Sequence, residues 1–383
     1  MSEDLPSTPA LLPTPALSTI AEHARSADAD RALAPAVVAE LTSAGLARHF
    51  VPRRWGGAEG GFTVLLDQVA DVGEACTSAA WVGMLWAAHG RFAALLPEEG
   101  QREIWGASPD VRISAALMPP AGRAEPADGG RRVTGTWECV SGIGSAQWVL
   151  LAAPDAQGAR VFAVPAEEVE VLDTWDATGL RGTGSHTAVV RDAFVPHRLS
   201  FPLAELLRGG DTPGLPRCHS APAQLAGGLM FCAPALGAAR RALTLWSEWA
   251  AAKAPGSGRP HHDSAAVRET LALASAHIDA AGLLLRRAAH RADTEPVDAA
   301  LVAANQRDAA VAAGMLADAV DRLFRTGGAH LRDGSGDLNR LWRDVHTVAS
   351  HGVLRLEPVA AAYASAVLTA DAPARASAAS RSR

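Results

Sequence analysis

Cysteine is scarce in this 383-residue sequence. The four present, Cys76, Cys139, Cys218 and Cys232, show no C-x-x-C spacing and no histidines at zinc-finger distance. That excludes a cysteine-rich metal site or a disulfide scaffold and reads as reduced thiols in a cytoplasmic protein. Excess positive charge is lacking too: 35 Lys and Arg stand against 41 Asp and Glu, a formal charge of −6. Without clustered basic residues there is no surface for nucleic acid or an anionic membrane, and Arg53-Arg54 and Arg286-Arg287 read as solvated faces. No segment reaches the roughly 18 uninterrupted apolar residues of a membrane span. The N-terminus, MSEDLPSTPALLPTPAL, is Pro-rich and lacks the basic start of a signal peptide. His261-His262-Asp263 has no third ligand at helical spacing, so no metal site is expected there or elsewhere. The 10 tryptophans, without a basic stripe, read as walls of a core and a pocket.

What is present is enough length for a large core and two or three domains. Residues 1–18 read as a flexible leader. From 19 to 110 the period is helical, with Leu33, Val37, Val38 and Leu41 on one face, Gly45 as a stop, and Val51–Gly57 as a break. Across 111–205 the texture shifts to short alternating runs, among them Trp148–Ala152, Val161–Val164 and Thr187–Val190, bounded by Gly, Pro and Asp. These predict a β domain of about six to eight strands. From 220 to 370 helical periodicity returns in four long stretches: Ala223 to Lys253 (broken near Pro234), 265–291, 297–325 and 339–368. Short loops between them imply an antiparallel four-helix bundle, with a flexible connection at 253–264. The Ala/Ser/Arg-rich 371–383 reads as a flexible tail.

Four motifs lie on this framework. Val133–Gly142 carries Trp137, Ser141 and Gly142, with Ser141 six residues after Gly135. Asp173–Ser185 contains Trp175 and the run Gly179-Leu180-Arg181-Gly182-Thr183-Gly184-Ser185, and Val195-Pro196 follows. Its glycines permit a tight turn, Pro196 ends the last strand, and the absence of a G-K-[ST] ending excludes a P-loop. Phe324–Ala329 contains the pair Gly327-Gly328. Further on, Arg343-Asp344 precedes His351-Gly352 on a predicted helix. An imidazole with an ordinary pKa of about 6.5 can accept a proton from a phenol-like group near neutral pH. His346 lies about 140° around that helix and cannot share the face of His351. The fourth motif, weaker, is Thr77-Ser78-Ala79-Ala80-Trp81-Val82 with His89 eight residues after Trp81, on nearly the same face.

The element order and motifs resemble the acyl-CoA dehydrogenase superfamily over residues 20–370, and within it the reduced-flavin-dependent, two-component monooxygenases. The resemblance implies an α+β fold: N-terminal helical domain, central β domain, C-terminal four-helix bundle. Trp137–Gly142 fits the branch pattern W-x-x-x-S-G, which places Trp137, Ser141 and Gly142 at the cofactor with the Ser141 hydroxyl near flavin N5. Trp175 becomes a wall for the flavin ring, and Gly327-Gly328 matches the turn beside the cofactor phosphates in FAD-binding members. His351 stands where a dehydrogenase has its carboxylate base, offset by one residue, and the branch implies that it deprotonates substrate; His89 is a second active-site candidate.

The implied activity is hydroxylation of a small aromatic, phenolic or natural-product substrate by O₂ through a C4a-hydroperoxyflavin. FMNH₂ or FADH₂ would come from a separate NAD(P)H:flavin reductase. A homotetramer is implied, with neighbouring subunits completing each flavin site. Lys253 stands where members often have an arginine for the neighbour's cofactor, which leaves FMN and FAD both open. Two alternatives stand beside this reading: an acyl-thioester desaturase, for which Glu357 is the nearest downstream carboxylate, and a non-catalytic flavin-binding member.

Overall fold

The computed structural model of the protein describes residues 13–209, 215–252, 264–328 and 336–370. Lys253, His261-His262-Asp263, residues 1–12 of the leader and the tail from 371 lie outside the described residues. Helix α1 (Thr14–Glu22) begins inside the segment expected to be a flexible leader. Pro15 lies in its first turn, where a missing N–H costs nothing, and Ala16 and Ile20 are buried. Helices α2 (Ala24–Asp30), α3 (Pro35–Ser43), α4 (Phe62–Ala75), α5 (Thr77–Ala93) and α6 (Glu98–Trp105) complete the N-terminal layer. Helix α5 is apolar all round, and of its residues only Phe92 escapes full burial. It therefore runs through the middle of the molecule. Helix α4 is capped by a distant residue: Asp293 accepts hydrogen bonds from the Phe62 and Thr63 amides at 2.6 and 2.9 Å.

Eight strands follow: β1 (Ile113–Ala116), β2 (Arg123–Ala127), β3 (Gly130–Val140), β4 (Trp148–Asp155), β5 (Gly158–Pro165), β6 (Glu170–Leu172), β7 (His186–Pro196) and β8 (Ser200–Pro202). They form two four-stranded sheets in the orders β1-β4-β5-β8 and β2-β3-β7-β6, antiparallel except for the parallel pair β1–β4. Buried Val133, Leu150, Phe162 and Val190 belong to the core they share. Short helices α7 (Leu203–Arg208) and α8 (Arg217–Ser220) lead into α9 (Ala223–Ala252), α10 (Ala265–Thr294), α11 (Ala299–Thr326), α12 (Asp337–Ala349) and α13 (Leu356–Ala370). On α11 the buried Asp308 draws in Arg287 and Arg291 from α10 at 2.9 and 3.1 Å.

Two helix expectations are corrected. Pro234 does not break α9, which is continuous through it. The packing against α4 is close enough to hold the turn: a Cβ on Gly237 would fall 2.0 Å from the Ala70 carbonyl oxygen, and one on Gly73 2.6 Å from that of Pro234. Gly237→Ala should therefore force the two helices apart and cost about 3 kcal/mol or more, read as a lowered urea midpoint. The stretch 339–368 is two helices rather than one. Helix α12 stops at Ala349, and a 3₁₀ turn, Gly352–Leu354, intervenes before Pro358 enters the first turn of α13. His351 sits in this break, not on a helix.

Candidate active site

A cavity of about 600 Å³ lies where α5, the ends of β1 and β3, α7, α9 and the α12–α13 break converge. It brings together three residues singled out from the sequence: Ser141, His89 and His351. Trp81, Phe231 and the leucines of α7 supply much of its apolar wall.

Ser141 reaches the cavity because β3 ends irregularly. The pairing of β3 with β7 slips between Trp137 and Val140, Cys139 takes a φ of 57°, and Gly142 a φ of 70°. Such a slip bends a strand and re-aims the side chains after it. A Cβ on Gly142 would also come 3.1 Å from Val82, so its role is in the turn, and its own N–H donates to the Thr183 carbonyl at 2.8 Å. The Ser141 Oγ accepts from Trp81 Nε1 at 3.2 Å and lies 2.7 Å from Ser185 Oγ. Ser185 Oγ in turn is 2.7 Å from Thr183 Oγ1, which donates to the Leu180 carbonyl at 2.8 Å. Thr183 and Ser185 sit within the glycine-rich motif, where the sequence suggested a turn and no further role.

The two histidines differ in which nitrogen is free. His89 Nδ1 is 2.8 Å from the Ile113 carbonyl, which can only accept, so that nitrogen carries the proton. Its Nε2 is then an acceptor. Burial pushes the His89 pKa down to about 4, which keeps the ring neutral. His351 has the opposite arrangement: its Nδ1 accepts from the Val353 amide at 3.3 Å, so in the neutral ring the proton sits on Nε2, a donor. Its pKa is lowered by burial. Phe231 packs 4.3 Å from the ring, and Trp81 stacks on Phe231 at 5.1 Å.

The remaining predicted residues stand elsewhere. The Trp137 side chain is buried in the β core, its Nε1 donating to the Ala152 carbonyl at 2.9 Å, and does not line the cavity. In a half-buried, bulged strand, an aromatic at this register faces the sheet interior. Trp175 is half-buried in the loop after β6; it lies outside the cavity lining and donates from Nε1 to the Leu180 carbonyl at 3.1 Å. Gly327 caps α11 and Gly328 abuts Trp249, a Cβ there lying 3.0 Å from its ring; neither lines the cavity of this chain. His346 packs against Trp342 at 4.6 Å.

Arg343 and Asp344 prove to be a clamp. Arg343 pairs with Asp28 at 2.7 Å and donates to the Thr178 carbonyl at 2.6 Å. Asp344, buried, accepts from the Leu180 amide at 2.7 Å, and burial raises its pKa to about 6. Together they anchor the loop that carries Thr183 and Ser185 to Ser141.

Glu357 is 90% exposed and does not line the cavity, whose one carboxylate among the described residues is the exposed Glu138. That disfavours the desaturase alternative, which needs a positioned carboxylate base. The geometry instead suits an oxygenase of the acyl-CoA dehydrogenase fold that handles substrate protons with imidazoles. Comparison with known proteins agrees. Residues 229–355 match the family described as acyl-CoA dehydrogenase, C-terminal domain. The chain is 32% identical over 353 residues to the oxygenase subunit HsaA of a flavin-dependent monooxygenase from Rhodococcus jostii, covering 88% of this chain and 91% of that one. It is also 32% identical, over 86% of each chain, to the oxygenase component of an FADH₂-dependent resorcinol hydroxylase from a Rhizobium species. The structure of XiaF from a Streptomyces species, in complex with FADH₂ and glycerol, superposes with a TM-score of 0.85 at 26% identity, covering 92% of this chain and 93% of that one. The chain belongs to the oxygenase subunits of two-component flavin-dependent monooxygenases. It is an enzyme that uses reduced flavin and O₂.

Proposed function

We propose that this oxygenase hydroxylates an uncharged phenol-like aromatic in the 600 Å³ cavity. One observation carries the reading: a neutral imidazole with a free acceptor nitrogen shares an apolar cavity with the Ser141 hydroxyl. The residues fit the reactive edge of a flavin, since Ser141 offers a hydroxyl at the cavity wall and Trp81 fixes its orientation. Bound reduced flavin supplies the two-electron activation of O₂. His89 Nε2 accepts a hydrogen bond from the phenol and draws off its proton as the ring carbon reacts, with the Ile113 carbonyl holding the ring in the required tautomer. Deprotonation makes the ring carbon beside the phenolate more nucleophilic. His351 presents its Nε2–H as a donor to an oxygen in the cavity. This exchanges the roles expected from the sequence, where His351 was the base. Either FMN or FAD remains compatible with Ser141, because both share the isoalloxazine ring.

The substrate's charge follows from the lining. Among the described residues no Lys or Arg lines the cavity, and both histidines are held neutral. A carboxylate there would lose hydration without gaining a cationic partner. A hydroxynaphthoate methyl ester should therefore be hydroxylated with a KM at least about tenfold below that of the free hydroxynaphthoate. Equal KM values, or preference for the acid, would reject the charge argument. A homotetramer, a cytoplasmic location and division into helical (19–110), β (111–205) and bundle (220–370) domains complete the proposal. The tetramer rests on the family resemblance, the location on the cysteine usage and the division on the changes of hydrophobic period along the chain.

A further inference from the structure

The hydrogen-bond chain behind Ser141 has only one consistent proton order. The Leu180 carbonyl has no proton to give, so the bond from Thr183 uses the single Thr183 hydroxyl proton. Thr183 Oγ1 must then accept from Ser185, whose proton is thereby committed at 2.7 Å. Ser185 Oγ can engage Ser141 at 2.7 Å only by accepting the Ser141 proton. Trp81 Nε1, donor only, occupies one Ser141 lone pair. What Ser141 still offers the cavity is one lone pair and no proton. Thr183 and Ser185 are both buried, so water does not scramble the order.

We infer that the Thr183–Ser185 relay makes Ser141 a dedicated acceptor and so selects the redox state of the flavin that binds. This rests on the flavin's reactive edge meeting Ser141, as the family membership implies. Reduced flavin carries a proton on N5 and is a donor there; oxidised flavin has a bare N5 lone pair. The first meets the Ser141 lone pair with a hydrogen bond, and the second meets it with lone-pair repulsion. An enzyme that takes reduced flavin from solution gains by rejecting the oxidised form, which would otherwise occupy the site without reacting with O₂. Thr183 and Ser185 are positioning residues here, since they act through Ser141.

The test is anaerobic calorimetric titration of the full chain with FMNH₂ and FADH₂, and separately with FMN and FAD. The wild type should bind the reduced form on the order of tenfold more tightly or better, the scale of one hydrogen bond made against one denied. Ser185→Ala leaves the Ser141 proton free to turn toward N5, so affinity for oxidised flavin should rise and the ratio should collapse. Thr183→Val should do the same with Ser185 in place, because the Ser185 proton then turns back to Ser141; the Leu180 carbonyl keeps its bond from Trp175. Ser141→Ala should weaken reduced flavin by removing its acceptor and relieve the repulsion toward the oxidised form, so the ratio should fall there as well. A wild type that binds both forms equally, or neither, overturns the relay. So does a reduced-to-oxidised ratio unchanged in both Ser185→Ala and Thr183→Val. These readouts need no turnover, so an intact ratio in an enzyme that hydroxylates no phenol would count against the proposed substrate alone.

Discussion

His89→Ala should lower the rate of phenol hydroxylation by about 10²–10⁴ while leaving reduced-flavin binding unchanged, with the oxygen consumed appearing as hydrogen peroxide. The size follows from removing a positioned proton acceptor whose tautomer is set by the 2.8 Å bond to the Ile113 carbonyl. The variant also carries a signature that distinguishes a lost base from a damaged cavity. Raising the pH toward the phenol's own pKa, about 10 for a simple phenol, supplies substrate already ionised and should restore product formation in His89→Ala. His351→Ala should not be rescued this way, because it loses a donor. In the wild type both rings have lowered pKa values, that of His89 to about 4, so hydroxylation should hold steady as pH falls to 6.5 and decline only below it. An acid limb centred above 6.5, or equal rescue of both variants by high pH, would contradict the assignment.

Asp344→Ala should be the most destabilising single change near the site, at about 3–5 kcal/mol. It strands the Leu180 amide, which Asp344 accepts at 2.7 Å, and removes a buried negative charge beside the cations of Arg340 and Arg343. Because the Leu180 loop carries the relay to Ser141, affinity for reduced flavin should fall as well. Asp344→Asn keeps an acceptor oxygen and should recover much of the loss. The pH dependence has a definite sign. The raised Asp344 pKa of about 6 means the folded state holds this proton more tightly than the unfolded chain, so its contribution weakens as pH rises from 3.8 to 6. In Asp344→Asn that component disappears, so wild type gains stability relative to the variant on acidification and the difference in urea midpoint should widen through this window. A midpoint for Asp344→Ala within about 0.5 kcal/mol of wild type would remove the clamp from the account.

The order of helices, strands and helices was legible because hydrophobic period is local: it changes from 3.6 to 2 and back along the chain. Ser141 and His351 stood out in the sequence by their motifs, and the fold places both on the cavity wall. What the sequence did not show shares a cause, which is that each feature was decided by a partner far away in sequence. Pro234 stays helical because Gly73 and Gly237 let two backbones meet. Trp137 is a core residue because β3 slips against β7 just beyond it. The proton-bearing nitrogen of each histidine depends on whether a carbonyl (Ile113) or an amide (Val353) faces Nδ1, and side-chain identity carries no record of that. Thr183 and Ser185 stood in plain view within a glycine-rich run, yet their direction of hydrogen bonding emerged only once the Leu180 carbonyl was placed against Thr183.

The central claim, that an uncharged phenol receives an oxygen atom from O₂ in the Ser141–His89 cavity, is tested most directly with isotopic oxygen. The enzyme would be given a neutral bicyclic phenol, with FMNH₂ or FADH₂ from a generic reductase, under ¹⁸O₂. The account predicts a hydroxylated product carrying one ¹⁸O atom, formed by the wild type and lost to peroxide in His89→Ala. A product whose new oxygen comes from water, or a product of desaturation with no new oxygen, would contradict it.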